Sequence, residues 1–462
     1  MKKSWDGRFK KTLDPFIEEF SSSIDIDVKL AEYDLQGSIA HIKMLGKVNV
    51  ISKNDTKKTL HGLEEILQEA SKGELKYTRA DEDIHMAIER RLVEKIGKIG
   101  NKLHTARSRN DQIVLDERLY LRDEISEVSE LIKGLQKTII NIAQKNIDVI
   151  IPGLTHMQHA QPVLFSHYLM AYFNMLDRDN GRLKDCFKRV NVMPLGAGAI
   201  AGTSFQIDRK YVAKLLGFPA ITENSIDTVS DRDFILEFVS CSAILMMHLS
   251  RLCEDIVIYS SEEFGYVELD DSICTGSSMM PQKKNPDVAE LIRGKTARVY
   301  GSLITLFTLM KALPLSYNRD MQEDKSALFD AVETVKICLR AGTKLLENIK
   351  PNRKRLENVL SMDFSCATEI ADYLVRQSMA FRDAHKLVGR IVRYCIDNKK
   401  YLRDLTYSEF KTFSNLFSRD ILNFTSPSSS VKSKSSPGGT CLKNVKAQIE
   451  KAKKSLSKEF AQ

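Results

Sequence analysis

Two long, proline-free runs of apolar heptads constrain this chain more than anything else in it. Val114, Leu121, Ile125, Val128, Ile132, Leu135, Ile139 and Ile142 follow one another mostly by alternating threes and fours, with no proline until Pro152. Such a stripe predicts one helix of about 50 Å at ~1.5 Å per residue. A second stripe passes through Ile235, Phe238, Ser242, Leu245, Leu249, Leu252, Ile256 and Tyr259, and is expected to open at Ser230 with Asp233 three residues on, a capping pattern. Its apolar residues occupy more than one face, which predicts a helix surrounded by other helices. Similar stretches at 287 to 313 and after Asp324 make the expected fold class all-α, a long central bundle whose outer stripes belong to other subunits.

Shorter helical patterns flank the bundle, such as Leu60, Leu63, Ile66 and Leu67 before it and SMDFSCATEIADYLV after it. Three parts are therefore expected: an N-terminal helical domain over 1–106, the bundle over 107–357, and a C-terminal helical domain over 358–462. The formal charge of +8 suits a nucleic-acid ligand only if it is spread over a face, yet from Lys432 onward eight lysines oppose two glutamates. The excess belongs to the tail, read as a solvated helix surface, and no nucleic-acid partner is expected. Eight cysteines without a C-x-x-C predict neither a zinc module nor a disulfide framework, but reduced thiols in a cytoplasm. MKKSWDGRF has no apolar run behind its lysines, and the longest apolar stretch, Phe238 to Met247, is shorter than the ~20 residues a membrane span requires. No membrane association is expected, and SPSSSVKSKSSPGG at 426 to 439 reads as a mobile loop.

The chemistry concentrates in CTGSSMMPQKKNPDVAELIR, residues 274 to 293. Gly276, Ser277 and Ser278 give a movable backbone with amides that can face an anion, and Pro281 and Pro286 forbid regular structure between them. Lys283, Lys284 and Asn285 sit inside the loop, and a helix opens at Asp287 with Glu290 in its first turn. Elsewhere, HTARSRNDQ (104–112) gathers donors before a long helix, a natural carboxylate site. His156 and His159 in GLTHMQHAQP are spaced for a metal pair, but no acidic ligand accompanies them and Pro162 places them in a loop, so no metal is expected. PLGAGAIAGT (194–203) lacks the strand-then-helix setting of a dinucleotide site and reads as close backbone packing. YNRDMQEDK (317–325) is polar almost throughout between two apolar helices, and FSSSIDIDVKLAEYD (20–34) and DEDIHMAIERR (81–91) are further polar clusters that pass as caps and helix surfaces.

The string Gly276-Ser277-Ser278, Met280-Pro281, Lys283, Asn285-Pro286 resembles the signature of the fumarase/aspartase superfamily, and its PQKKNPD variant is similar to that of the argininosuccinate lyase family. The resemblance runs from WDGRF to the GGT at Gly438, with small departures at Asp6, Gln206 and Cys441. It implies release of fumarate from argininosuccinate without a cofactor, in a homotetramer with composite sites. By the same resemblance His156 and Ser277 are the acid–base pair. Ser277 is favoured as base and His156 as acid oriented by Glu290, with the reverse roles open. Lys283 and Asn285 would stabilise the carbanionic carboxylate, Thr155 would hold the succinyl end, and Ser23, Asn110, Tyr317, Gln322 and Lys325 would meet the arginine half. A sister fumarate-releasing lyase would keep Ser277, Lys283 and Asn285 without needing YNRDMQEDK. A crystallin-like structural relative could lose reactive positions while keeping the bundle.

Overall fold

The computed structural model describes residues 10–458, so WDGRF lies outside the described residues. Five long helices dominate it: Arg109–Lys145, Phe165–Val190, Asp233–Ser260, Asp287–Met310 and Asp324–Glu347. The first has 37 residues, about 55 Å at ~1.5 Å per residue, and the stripe from Val114 to Ile139 is buried along it. Phe165–Val190 was not anticipated from the sequence. The second stripe opens at Asp233 and not at Ser230: Ser230 instead ends a separate helix, Ser225–Ser230, and the Asp231 carboxylate accepts from the Asp233 amide at 2.8 Å. A carboxylate two residues ahead of a helix caps it as well as a serine does.

Asp233–Ser260 is also longer than its apolar run, and by length and composition it is apolar enough to cross a membrane, with a mean hydropathy of 1.4 over 18 residues. Within the protein 61% of that window is buried, as in a core helix, and His248 on it is hydrogen-bonded to Asp179 at 2.7 Å.

The chain divides into two compact units. One comprises Met1–Ser129, Asn180–Ile244 and Ala297–Val335. Its helices Ala31–Lys47, Lys53–Ser71 and Ile84–Ile96 pack Leu35, Ile42, Leu45, Leu63, Ile66, Ile88 and Leu92 into one core. Ser52 and Asp83 cap two of these helices through the amides of Asp55 and Met86. Each such cap is worth about 1 kcal/mol.

The other unit comprises Glu130–Asp179, Leu245–Thr296 and Lys336–Gln462. Its C-terminal part has a core of Ile370, Leu374, Leu387, Ile391, Phe410, Phe417 and Ile421. The serine-rich segment at 426 to 439 is in part a helix, Pro427–Ser433, and not a mobile loop. Ser430 and Ser433 each donate at 2.9 Å to the buried Glu369, and Lys434 pairs with it at 2.7 Å. The hydroxyls that made the segment look unstructured satisfy a buried carboxylate. Helix Leu442–Lys458 buries Val445, Ile449, Ala452 and Leu456 on one face.

A β-hairpin, Ile150–Thr155 with Gln158–Leu164, takes the place of the loop expected around His156 and His159. Pro162 stands opposite Pro152 in the register. A two-stranded ribbon has two edges, so neither proline withholds a donor that the ladder uses.

Candidate active site

In the first unit, Ser23, Tyr317, Gln322 and Lys325 converge on buried charge. The Ser23 hydroxyl donates to Asp27, whose other oxygen lies 3.8 Å from the Lys325 ammonium. Lys325 also approaches Asp324 at 3.4 Å, and the fully buried Arg232 binds Asp324 and, at 3.3 Å, Glu117. Three carboxyls thus face two cations. Burial would lift Asp324, but Lys325 and Arg232 outweigh it and hold it below its ordinary value. Burial pushes Glu117 up, with Arg232 offsetting only part, so Glu117 is the carboxyl that keeps a proton. Burial would likewise lower Lys325, yet Asp324 and Asp27 raise it, and it stays charged. Tyr317 is half-buried beside this group, its phenol raised by burial and lowered in part by Lys325.

The backbone around Ser23 is held from the same side. The Glu82 carbonyl accepts from the Ser23 amide at 2.8 Å and the Ser22 hydroxyl at 3.0 Å. Arg319 donates to Ser21 O at 2.7 Å and to Glu82 at 2.9 Å, and Gln322 reaches Ser21 O at 3.4 Å. Glu82 has φ 63°, a strained value for a residue with a side chain, and the surrounding bonds over-determine it.

Asn110 stands at the start of Arg109–Lys145 and donates to Ala199 O at 3.2 Å. Next to it the buried Asp111 accepts from the amides of Ser108, Gly196 and Gly198 at 3.0, 2.9 and 2.8 Å. These bonds seat the 194–203 loop on the helix start. Gly198 has φ 64°, and a Cβ there would stand 2.6 Å from Gly202 O, so close packing does explain this glycine-rich stretch.

A second buried cluster, not brought together by the sequence reading, joins Asp34, His85 and Asp116, whose ligand-type atoms lie within 4.8 Å of one another. His85 Nδ1 is 3.5 Å from each carboxylate. Burial and Asp34 raise Asp116, while His85 and Arg107 overcome burial to hold Asp34 low. Arg107, bonded to Ser38 at 2.8 Å, adds a positive charge that acts on both carboxyls.

In the second unit, Thr155 ends one strand of the hairpin, and His156 and Met157 form its two-residue turn with φ 52° and 57°. Positive φ at both central positions matches the twist of a hairpin, at a cost of order 1 kcal/mol or more for each residue bearing a side chain. Thr155 and His156 are exposed.

Residues 274–286 form a loop closed by paired backbone bonds between Thr275 and Asn285. Inside it the Ser277 oxygen accepts from the amides of Met279 and Met280 at 3.2 and 3.1 Å. Two amides aimed at one hydroxyl oxygen favour negative charge on it. Lys284 is tied to Leu269 O and Asp271, whereas the side chain of Lys283 is exposed and makes no hydrogen bond or ion pair among the described residues. The Asn285 amide reaches Gly276 O at 3.5 Å, and Glu290 is exposed in the first turn of Asp287–Met310. A Cβ on Gly276 would meet nothing nearer than Lys283 O at 3.8 Å, so in this conformation neither space nor φ demands a glycine.

Profiles of two families match the chain: the one described as Lyase over residues 7–301, and the one described as Argininosuccinate lyase C-terminal over 364–432. Argininosuccinate lyase of Geobacter metallireducens is 54% identical over 451 residues, 98% of each chain. The chain belongs to the argininosuccinate lyase family. The family's enzyme from Acetivibrio thermocellus is 52% identical over 455 residues, covering 98% of this chain and 99% of its own. A solved structure of an EDDS lyase variant with bound fumarate shares the all-α fold at a TM-score of 0.85, with 27% identity over 98% of this chain and 92% of that one.

Of the residues that the family resemblance singled out, Ser23, Tyr317, Gln322 and Lys325 stand around one buried charge group, while Asn110 is bonded to the 194–203 loop. Thr155 and His156 share the hairpin tip, and Ser277, Lys283 and Asn285 share the loop. Among the described residues no hydrogen bond or ion pair joins His156 to Ser277 or to Glu290. Asp27, Glu82, Glu117 and Arg232 were missed; only the density of acidic residues in 20–34 and 81–91 hinted at the first two.

Proposed function

We propose that the protein splits argininosuccinate into arginine and fumarate by general acid–base β-elimination, as a carbon–nitrogen lyase of arginine biosynthesis. The observation that carries this reading is the 54% identity to an argininosuccinate lyase over 98% of both chains. Every position singled out for the reaction is present alongside it, including the YNRDMQEDK segment that a sister lyase does not need.

A base removes a proton from the carbon beside the succinyl carboxylate, and the negative charge spreads into that carboxylate. Ser277 is suited to this because the Met279 and Met280 amides favour its alkoxide. Lys283, whose side chain has no other partner among the described residues, and Asn285 stabilise the resulting near-dianion, each donor contributing about 3 kcal/mol where water is excluded. Expulsion of the guanidinium nitrogen then takes a proton from His156, oriented by Glu290, while Thr155 holds the succinyl end. Ser23, Asn110, Tyr317, Gln322 and Lys325 meet the amino and carboxylate groups of the arginine half. Lys325, held charged by Asp324 and Asp27, suits the carboxylate of that half.

The enzyme is read as a cytoplasmic homotetramer, free of membrane and nucleic acid, with sites composed from more than one chain. The separation of polar clusters by helices of 24 residues or more supports this. The domains are read as 1–106, 107–357 and 358–462. Fumarate absorbance after addition of argininosuccinate tests the activity, with adenylosuccinate, malate and aspartate as controls.

A further inference from the structure

The hairpin tip carries Thr155 and His156 on a backbone that works against a fixed position. Its two turn residues have positive φ, and residues 155 to 158 are all exposed. Something beyond the turn must hold it. Of residues 154–160, His159 alone makes side-chain hydrogen bonds among the described residues. Its Nδ1 lies 3.0 Å from Asp363 Oδ2 and its Nε2 lies 2.9 Å from the Tyr266 hydroxyl. An ionised carboxylate only accepts, so Nδ1 donates to Asp363, and Nε2 shares a hydrogen bond with the phenol. Both anchors are themselves tied. The other Asp363 oxygen accepts from the Ser365 amide and hydroxyl at 3.1 and 2.7 Å, and the Tyr266 backbone bonds Tyr259 O and the Asn352 amide.

The register shows how His159 comes to face these anchors. Pairing runs Gly153 with Gln161 and then Leu154 with His159, leaving Ala160 as a bulge. A bulge re-aims the side chains beyond it. It also shortens the connection to the two residues His156 and Met157.

We propose that His159 is a positioning residue for the elimination: the Asp363–His159–Tyr266 chain fixes the hairpin tip so that Thr155 and His156 meet the substrate in register. This rests on the reading that His156 takes part in the reaction. Misplacing a reacting group by about 1 Å costs on the order of 10²-fold in rate, whereas binding energy from the arginine half is untouched.

The test is steady-state fumarate release by the full-length enzyme, with melting temperatures, for His159→Ala, Tyr266→Phe, their double variant and His156→Asn. The expected results are a kcat at least about tenfold lower for His159→Ala and about threefold lower for Tyr266→Phe, with KM within about twofold of the parent. The double variant should lose no more than His159→Ala alone, because both act through one contact. Values of kcat within about twofold of the parent, or losses that simply multiply, overturn the proposal. If His159→Ala does not fold, Tyr266→Phe, which removes one hydroxyl, decides by the same criteria. A fully active His156→Asn enzyme sinks the assignment of His156 itself, while an inactive one beside a normal His159→Ala sinks only the clamp.

Discussion

At the scale of single residues, the account places catalysis on Ser277 and His156 and recognition on the group around Lys325. Ser277→Ala is expected to abolish turnover with the fold intact, since it removes one hydroxyl from a half-buried loop position. His156→Asn is expected to cost ~10² to 10⁴ in kcat, and a variant within about threefold of the parent would return it to a plain turn residue. Gln322→Ala and Tyr317→Phe should chiefly raise KM, because they act on a remote part of the substrate. Unchanged KM in both reduces 317–325 to a polar connection. Lys325→Met should cost stability as well, of order 3 kcal/mol, by leaving Asp27 buried without its cation and Asp324 with Arg232 alone; chemical denaturation of the enzyme measures it. The residue types at these positions were readable from the string itself. Their partners were not, because Asp27, Glu117 and Arg232 lie far apart in the chain and resemble helix-surface charges until the fold buries them.

At the scale of elements, the long helices were legible because a stripe stepping by threes and fours over eight positions fits no other structure. The hairpin was not, since Pro152 and Pro162 argue against strands unless each strand is an edge. The helix Pro427–Ser433 was hidden for a related reason: its serines look solvated until Glu369 is seen beneath them. Two outcomes follow for elements. Gly198→Ala should destabilise by more than ~1 kcal/mol and raise KM, because a Cβ at φ 64° meets Gly202 O and shifts the loop that holds Asn110; thermal melts and kinetics read both effects. In helix Tyr407–Phe413, Lys400 and the Thr406 cap hold Glu409 at about 2, against an ordinary 4.5. A carboxyl depressed in the folded state adds stability that is complete above 4.5 and is lost as pH falls toward 2. Urea midpoints of the parent and Glu409→Gln should therefore differ at neutral pH and converge below that window. Equal midpoints throughout would remove the cap from the stability account.

At the scale of the whole molecule, His156 and Ser277 sit on separate segments with no hydrogen bond between them among the described residues, which fits sites completed by neighbouring copies. Co-refolding inactive His156→Asn chains with inactive Ser277→Ala chains should restore partial activity, since some mixed sites draw both intact residues from different partners. Mixed oligomers that stay inactive would place both residues on one chain. Beneath these tests lies the elimination itself. The most direct measurement is the appearance of fumarate absorbance when purified enzyme is given argininosuccinate, beside parallel reactions with adenylosuccinate, malate and aspartate. The account predicts fumarate and arginine in equal amounts from argininosuccinate and none from the other three. Absence of fumarate from argininosuccinate, or faster release from a control substrate, would contradict it.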